Sequence, residues 1–286
     1  MIGGLFALGA ALSSGVETIF RRRVLIKENS LCYTFAFGLF AAIVLLPLFF
    51  LRFQAPADSH AWLLVIASGI LWTLYGALLF KAYSYLEASV ASPLSKIRLF
   101  FVLMASVIIL GEHITFGKIL GTLMIFAGAI VISYRKKKSI IPSYKKGVFL
   151  IIISAFVISA ALLIDKYAMN FFNVETYLVP VYLMSPLLLT ALMVKRDYRH
   201  HLKNIFKRSL IPTILTSILS VGYYYLILYA FKYAEASVVV PIAELSILIS
   251  VIGGIIFLKE RENMAQKIVA TVILIMGAIL VSGILF

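Results

Sequence analysis

Three ionisable side chains lie deep inside apolar stretches of the chain and could bind a charged ligand or a proton. Lys96 and Arg98 belong to one apolar run, and Glu244 belongs to another. Because ionisable groups are costly in hydrocarbon, we expect each of them to face neighbouring helices or a water-filled cavity. Lys96 and Glu244 are predicted to pair. Either the pair fixes the register of the helices, or a substrate or a proton competes with one member of the pair for the other.

The position of Arg98 limits what the first run can present to a cavity. Arg98 follows Lys96 by two positions, which separates the two side chains by about 200° around an α-helix. We therefore expect that they cannot both line one wall, unless a kink at Pro93 brings both to the cavity and favours an anionic substrate. Pro93 and Pro241 each remove a backbone hydrogen bond inside a predicted helix. They are interpreted as fixed kinks that shape a cavity or as moving hinges.

Aromatic residues concentrate on two further apolar runs. Trp72, Tyr75 and Tyr223 lie too deep in these runs for the aromatic belts found at membrane interfaces. We interpret them as side chains that line a cavity and stack on a substrate or hydrogen-bond to it. The alternative is that they serve packing alone.

Several carboxylates lie near the ends of the runs. Glu17 and Asp165 occupy equivalent places near the far ends of the first and sixth runs, and are candidates for a gate or for proton coupling on opposite sides of a membrane. A local salt bridge to Arg21, four residues later, is the alternative for Glu17. Glu87 and Glu235 precede predicted helices, where a carboxylate complements the positive end of the helix dipole, and are interpreted as caps.

The sequence has none of the usual patterns of catalytic chemistry. We find no spaced nucleophile and base, no metal-ligand cluster and no Gly-rich phosphate loop, and Cys32 is the single cysteine. Gly121 and Gly128 are better explained as close contacts between helices. The sequence therefore predicts a protein that is not an enzyme, with no catalytic residues, no metal site and no cofactor.

Composition indicates an integral membrane protein. The 286 residues are 63% hydrophobic and 13% charged, and the mean hydropathy is +1.06. A soluble domain of this length needs far more charge on its surface. The net charge of +14 comes from basic residues clustered between apolar runs. This pattern is typical of cytoplasmic loops that face anionic lipid headgroups, and not of a nucleic-acid-binding module.

Apolar runs of about 18–23 residues can each span about 30 Å of hydrocarbon as a helix. We predict an all-α integral membrane protein with ten such helices, at approximately residues 2–20, 31–51, 61–83, 88–110, 114–134, 147–168, 175–194, 210–231, 236–258 and 265–286.

The two halves of the chain repeat one pattern. The segment EASVASP that starts at Glu87 recurs as EASVVVP at Glu235, an offset of 148 residues. The same offset relates Lys96 to Glu244, Pro93 to Pro241, Glu112 to Glu260, Tyr75 to Tyr223, and the acidic Glu17 to the acidic Asp165. We predict two units, residues 1–140 and 141–286. Because five helices per unit is an odd number, the second unit enters the membrane from the opposite side, as an inverted-topology repeat.

The distribution of Lys and Arg predicts the orientation. Segments after odd-numbered helices hold 20 of these residues and segments after even-numbered helices hold 4, and Lys96 and Arg98 complete the 26. The positive-inside bias then places the odd segments in the cytoplasm and both termini outside.

The motif at residues 88–93, with Gly111-Glu112 at the end of the fourth run, resembles the EamA-type transporters of the drug/metabolite transporter superfamily. The second half repeats the pattern at residues 236–241 and Glu260, although Lys259 stands where the family often has Gly. The resemblance covers nearly the whole chain. It implies that a metabolite, amino acid, sugar derivative or drug passes through a central cavity between the two halves. It also implies cytoplasmic termini, whereas the charge distribution predicts the reverse, and we follow the charge distribution.

Together these features predict a secondary active or gradient-driven transporter of a small polar or charged metabolite. It would work by alternating access, with a site between the repeats near the midplane. The alternatives are a flippase for lipid-linked headgroups on the same fold and a membrane protein that transports nothing. The expected partners are the substrate, protons and membrane lipids, with a monomer sufficient for function. The expected location is a prokaryotic cytoplasmic (inner) membrane.

Overall fold

The regular structure of the chain consists of helices throughout the part that can be described. A computed structural model describes residues 2–25, 28–83, 85, 94–133, 144–249 and 264–282. Its helices are α1 (Ile2–Leu25), α2 (Ser30–Arg52), α3 (Trp62–Tyr83), α4 (Arg98–Leu110), α5 (Phe116–Ser133), α6 (Tyr144–Ala168), α7 (Val174–Met193), α8 (Arg196–Arg208), α9 (Leu210–Tyr233), α10 (Ala236–Ala243) and α11 (Met264–Ser282). Short 3-10 turns, Ser59–Ala61 and Ser95–Ile97, precede α3 and α4.

Six helical stretches in the described residues are long and apolar enough to cross a membrane. They are Ile2–Arg21, Ser30–Arg52, Ser59–Ala82, Lys145–Ala168, Val174–Met193 and Leu210–Tyr233. Large apolar side chains such as Phe50 and Leu51 are exposed over 75% and 81% of their surface, as a lipid-facing side chain would be. The prediction of an all-helical integral membrane protein is confirmed. The shorter apolar helices Phe116–Gly128, Ala236–Ile249 and Ile268–Val281 fall in three of the remaining four predicted runs, and α4 falls in the other.

Glycine lets one pair of helices come into backbone contact. A Cβ atom built on Gly121 of α5 would lie 2.5 Å from the carbonyl oxygen of Gly277 in α11, and one on Gly128 would lie 2.9 Å from Leu274. Such distances leave no room for a larger side chain, and small residues are the usual means of close helix approach in membranes. The predicted helix contacts at Gly121 and Gly128 are confirmed.

The helices pack in pairs that belong to different halves of the sequence. α1 packs along α9, α3 along α6, α2 along α7, and α5 along α11. The 148-residue offset relates α1 to α6 and α3 to α9, so the first two pairs are equivalents of each other. The core therefore forms between the halves rather than within each half.

Polar contacts tie the loops together at two ends of the bundle. At one end, which we call the Glu28 end, the Ser209 hydroxyl donates to Glu28 over 2.7 Å. At the other, which we call the Asn173 end, the Asn173 amide donates to the Arg52 carbonyl over 2.6 Å. A Cβ atom on Gly3 would meet the side chain of Ala234, and the Lys166 ammonium donates to the Ala234 carbonyl over 2.7 Å. α1 therefore begins at the end where α6 finishes, and the two run in opposite directions.

Irregular turns lie at two equivalent positions, Glu244 and Lys96. α10 contains Pro241 and ends at Ala243, with Glu244 as its C-cap, and helical turns resume at Ser246. Lys96 lies in the 3-10 turn that precedes α4. Pro93, the predicted partner of Pro241, lies outside the described residues, as do Glu87 and Glu260.

The start of α10 is capped by a residue far away in sequence. The Glu112 carboxylate accepts hydrogen bonds from the backbone N–H groups of Ala236 and Ser237, over 2.8 and 3.1 Å. Glu235 occupies the N-cap position, but its side chain makes no capping hydrogen bond and instead pairs with Lys118. Glu235 therefore holds the predicted N-cap position, but its side chain supplies no capping hydrogen bond. An acidic side chain that follows α4 in the chain does the capping, because the helices bring it onto the two N–H groups.

Candidate functional site

A cavity of about 180 Å³ lies between helices of the two halves. Its size is close to the roughly 150 Å³ of an apolar cavity that admits benzene. Polar and aromatic side chains from α1, α2, α3, α7 and α9 line it, together with the turn before α4 and the turn after Glu244. Of the predicted site residues, those in the lining are Glu17, Trp72, Tyr75, Lys96, Arg98 and Tyr223.

A carboxylate and two cations form a buried cluster at one wall of the cavity. The Lys96 ammonium contacts one oxygen of Glu244, and the Arg98 guanidinium donates to the other, with its Nε 2.6 Å away. The side chains of Lys96, Arg98 and Glu244 are only 11%, 14% and 3% exposed. The predicted pairing of Lys96 with Glu244 is present. Arg98 was not predicted to share it.

The expectation that Lys96 and Arg98 cannot line the same wall is wrong. Both line the cavity and both reach Glu244. The expectation assumed an uninterrupted α-helix, but Lys96 lies in a 3-10 turn and Arg98 is the first residue of α4. At this junction the two long side chains converge on separate oxygens of one carboxylate.

A second ion pair lines the cavity from α1. Arg21 binds both oxygens of Glu17, with a distance of 2.9 Å from its Nε to the first. Glu17 is 1% exposed, so this is an enclosed pair and not a surface one. The predicted salt bridge between positions i and i+4 is present. Sequence reasoning treated Arg21 only as the partner of Glu17 and missed its place in the cavity wall, although its spacing from a carboxylate within an apolar helix was an available signal.

Asp165 is held inside the protein and is not part of the cavity lining. It is fully buried, and four neutral donors reach its two oxygens. Ser68 and Tyr177 donate to one oxygen over 2.5 and 2.7 Å, and Trp72 and Tyr224 donate to the other over 3.0 and 2.7 Å. Glu17 and Asp165 thus differ in setting, since Glu17 lines the cavity and Asp165 does not, and a gate role for either stays a prediction. Whether either takes part in proton coupling stays a prediction.

Aromatic side chains form the wall that separates Asp165 from the cavity. The ring centroids of Trp72 and Tyr224 lie 4.9 Å apart, and those of Tyr224 and Tyr182 lie 5.7 Å apart. Trp72 also contacts Tyr75, whose hydroxyl lies 3.5 Å from Nη1 of Arg98. Tyr182 and Tyr224 were not among the predicted site residues, because sequence spacing cannot show which tyrosines of a helix turn toward a cavity.

The described residues contain no group of three or more His, Cys, Asp or Glu side chains placed to hold a metal ion. Cys32 is buried and its thiol donates to the Tyr198 carbonyl over 3.4 Å. The chemistry that the cavity offers is therefore the binding of charged and aromatic groups by arginine, lysine and tyrosine side chains.

Comparison with known proteins gives three findings. The family model described as the EamA-like transporter family matches residues 1–134 and 145–283. A WAT1-related protein of Arabidopsis thaliana is 23% identical over 268 residues, which cover 88% of this chain and 76% of the plant protein. A crystal structure of another protein superposes with a TM-score of 0.75 at 14% identity, and covers 97% of this chain and 95% of that one. At that identity the structural likeness shows the fold alone.

Proposed function

Because the chain belongs to the EamA-like transporter family, we propose that it carries a small polar or charged metabolite across the membrane by alternating access. The substrate binds in the cavity between the two halves. The driving force is the substrate's own gradient or a proton gradient. The protein is a carrier and catalyses no covalent reaction.

The observation that carries this proposal is that the break after α10 and the 3-10 turn before α4 meet at the cavity. Glu244 caps α10 where that helix stops, and Lys96 lies in the turn before α4. Broken helices that meet between repeats are a recurrent way for transporters to expose binding groups near the middle of the membrane. Ionisable groups at such a depth mark substrate or ion pathways.

The packing of the helices supports two inverted five-helix repeats, with units at residues 1–140 and 141–286. Exchanging each helix for its equivalent at an offset of 148 residues turns the pair α1 and α9 into the pair α6 and α3, and both pairs exist. α2 with α7, and α5 with α11, each map onto themselves. α1 and α6 begin at opposite ends of the bundle, as inversion requires. Alternating access would then be a rocking of one unit against the other around the fixed cavity.

Glu244, the carboxylate that Lys96 and Arg98 share, is the group with which a substrate would compete. Glu244 neutralises Lys96 and Arg98 in the absence of substrate, and both cations also face the cavity. A charged substrate that binds these side chains competes with Glu244 and weakens a contact between the halves. Substrate binding and the movement of the halves are thereby coupled.

The test is flux through the purified full chain in proteoliposomes. Vesicles would be loaded in turn with unlabelled monocarboxylates, amino acids, sugar derivatives and amines, and diluted into the same compound in labelled form, with and without a pH gradient. We expect counterflow, in which an internal unlabelled compound accelerates entry of the same labelled compound, for one class. Empty vesicles and vesicles with Glu244→Ala protein are the controls. Folded protein that gives no flux above empty vesicles for any class, with or without a gradient, would contradict the proposal.

A further inference from the structure

We propose, on the basis of the proposed transport function, that the cavity selects small organic anions with one carboxylate group, and that Arg98, Lys96 and Arg21 hold that group. These three cations all line the cavity. Arg21 comes from α1, Lys96 from the turn before α4, and Arg98 from the first residue of α4. A substrate carboxylate between them would take over some of the hydrogen bonds that Glu244 and Glu17 now accept from these cations.

The cations keep hydrogen-bond donors that their carboxylate partners do not use. A guanidinium has five N–H donors and an ammonium has three. Arg21 uses its Nε and Nη2 on Glu17, and Arg98 uses the same two nitrogens on Glu244 and one more on Tyr75. Among the described residues, Lys96 donates to Glu244 alone. Each of the three cations therefore has at least one donor that no described residue uses, and a ligand oxygen could accept from it.

Carboxylates that could bind a cationic ligand are far scarcer. Among the described lining residues Glu17 is the single carboxylate, and Arg21 occupies both of its oxygens. Glu244 lies behind Lys96 and Arg98, which also occupy both of its oxygens. Asp165 is separated from the cavity by the side chains of Trp72 and Tyr224, and its two oxygens already accept hydrogen bonds from four donors. An ammonium ligand would meet three cations first, whereas a carboxylate would meet donors.

The remaining wall fits the body of such an anion. Trp72 and Tyr182 both line the cavity and pack against Tyr224, with ring centroids 4.9 and 5.7 Å from that of Tyr224. With a volume of about 180 Å³, the cavity has room for a chain of a few carbons or one aromatic ring. Charge selects the head group, and the aromatic wall limits the size of the rest.

Binding can be read from Trp72, because the chain has two tryptophans and the other, Trp62, packs on Phe172. In a Trp62→Phe background, the fluorescence of the purified full chain in nanodiscs reports the cavity. The probes are acetate, propionate and benzoate, each compared with its amide and with the ammonium compound of the same carbon skeleton. Equal concentrations of sodium chloride control for ionic strength. We expect saturable changes with at least one carboxylate and at least tenfold weaker binding of its amide and its ammonium counterpart.

Variants of the chain test whether Arg98 binds the carboxylate of the probe. Arg98→Gln should weaken carboxylate binding at least tenfold, and Arg98→Gln with Glu244→Gln should weaken it similarly, because the net charge is restored while the guanidinium is not. The double variant also removes the imbalance of charge that could unfold the single one. Arg52→Gln is the matched control, since Arg52 pairs with Glu175 outside the cavity and should leave binding unchanged.

Three outcomes overturn the anion proposal: no saturable response to any carboxylate, equal or tighter binding of the amide or ammonium probe, or normal binding by the double variant. These outcomes leave the transport function standing if flux is found for another class. Carboxylate binding without any counterflow of the bound compound would instead support the anion site and contradict the transport function.

Discussion

Glu244 neutralises both cations of the buried cluster at this site. Its two oxygens are divided between Lys96 and Arg98, and all three side chains are nearly enclosed. Taking one member from such a cluster is costly because the others stay buried without compensation. The cost depends on which member is removed, since within this cluster the carboxylate has two charged partners and each cation has one.

We expect Glu244→Ala to lower the free energy of unfolding by about 3–5 kcal/mol, because two buried cations lose their carboxylate. Lys96→Ala should cost less, about 1.5–3 kcal/mol, because Arg98 still holds Glu244. Denaturant unfolding of the purified variants in detergent, followed by circular dichroism, measures both. Arg52→Ala, which removes a pair whose arginine side chain is 63% exposed, should change little. Equal losses for Glu244→Ala and Lys96→Ala would show that Glu244 does not serve two partners.

At the scale of helices, close packing depends on where glycine is placed. Gly121 meets the backbone of Gly277, so α5 and α11 touch without intervening side chains. Gly4 is also helical, but a Cβ atom there would meet nothing within 4 Å. The two positions thus separate the effect of helix propensity from the effect of a helix contact.

Gly121→Ala should destabilise the protein by about 1–3 kcal/mol, because the added methyl group overlaps the Gly277 carbonyl and forces α5 and α11 apart. Gly4→Ala should be neutral or should stabilise by up to about 1 kcal/mol, since alanine favours a helix more than glycine does. The same unfolding assay applies to both variants. A neutral Gly121→Ala would mean that α5 and α11 do not pack in this way.

At the scale of the whole molecule, the two ends of the bundle differ in charge. α8 lies at the Glu28 end and carries an exposed basic face with Arg196, Arg199, Lys203, Lys207 and Arg208. Its apolar side chains Tyr198, Leu202 and Ile205 pack on the core beside Cys32. Residues 53–58 at the Asn173 end contain Asp58 and no Lys or Arg. Because a basic end favours the cytoplasmic face, we expect the beginning of α1 to lie outside.

This orientation predicts the outcome of cysteine labelling. Cys32 is the single cysteine, and Cys32→Ser removes it while keeping a hydroxyl that can donate to Tyr198. In that background, Ala57→Cys should react with a membrane-impermeant maleimide added to intact cells. Lys203→Cys should react only after the cells are permeabilised, because it lies at the opposite end. The reverse result would place both termini in the cytoplasm, and labelling of both from one side would contradict the assignment of the two ends.

The sequence by itself determined the class of the protein, six of its membrane-crossing helices and the pairing of Lys96 with Glu244. Hydropathy is a local property of a run of residues, so it identifies a spanning helix wherever the helix later packs. The pairing followed from the 148-residue offset, which relates positions in the two halves without any knowledge of their distance. The family assignment rested on equally local motifs and was confirmed.

Only the tertiary structure decided how the site is built. The convergence of Arg98 on Glu244 depends on a 3-10 turn that helical periodicity does not reveal. Arg21 became a cavity residue, and Asp165 became a buried acceptor for four donors, because side chains from α1, α3, α7 and α9 come together around them. The direction of a side chain within a bundle is set by its partners on other helices. Those partners are distant in sequence, and in an apolar chain almost every face of a helix looks equally fit for burial.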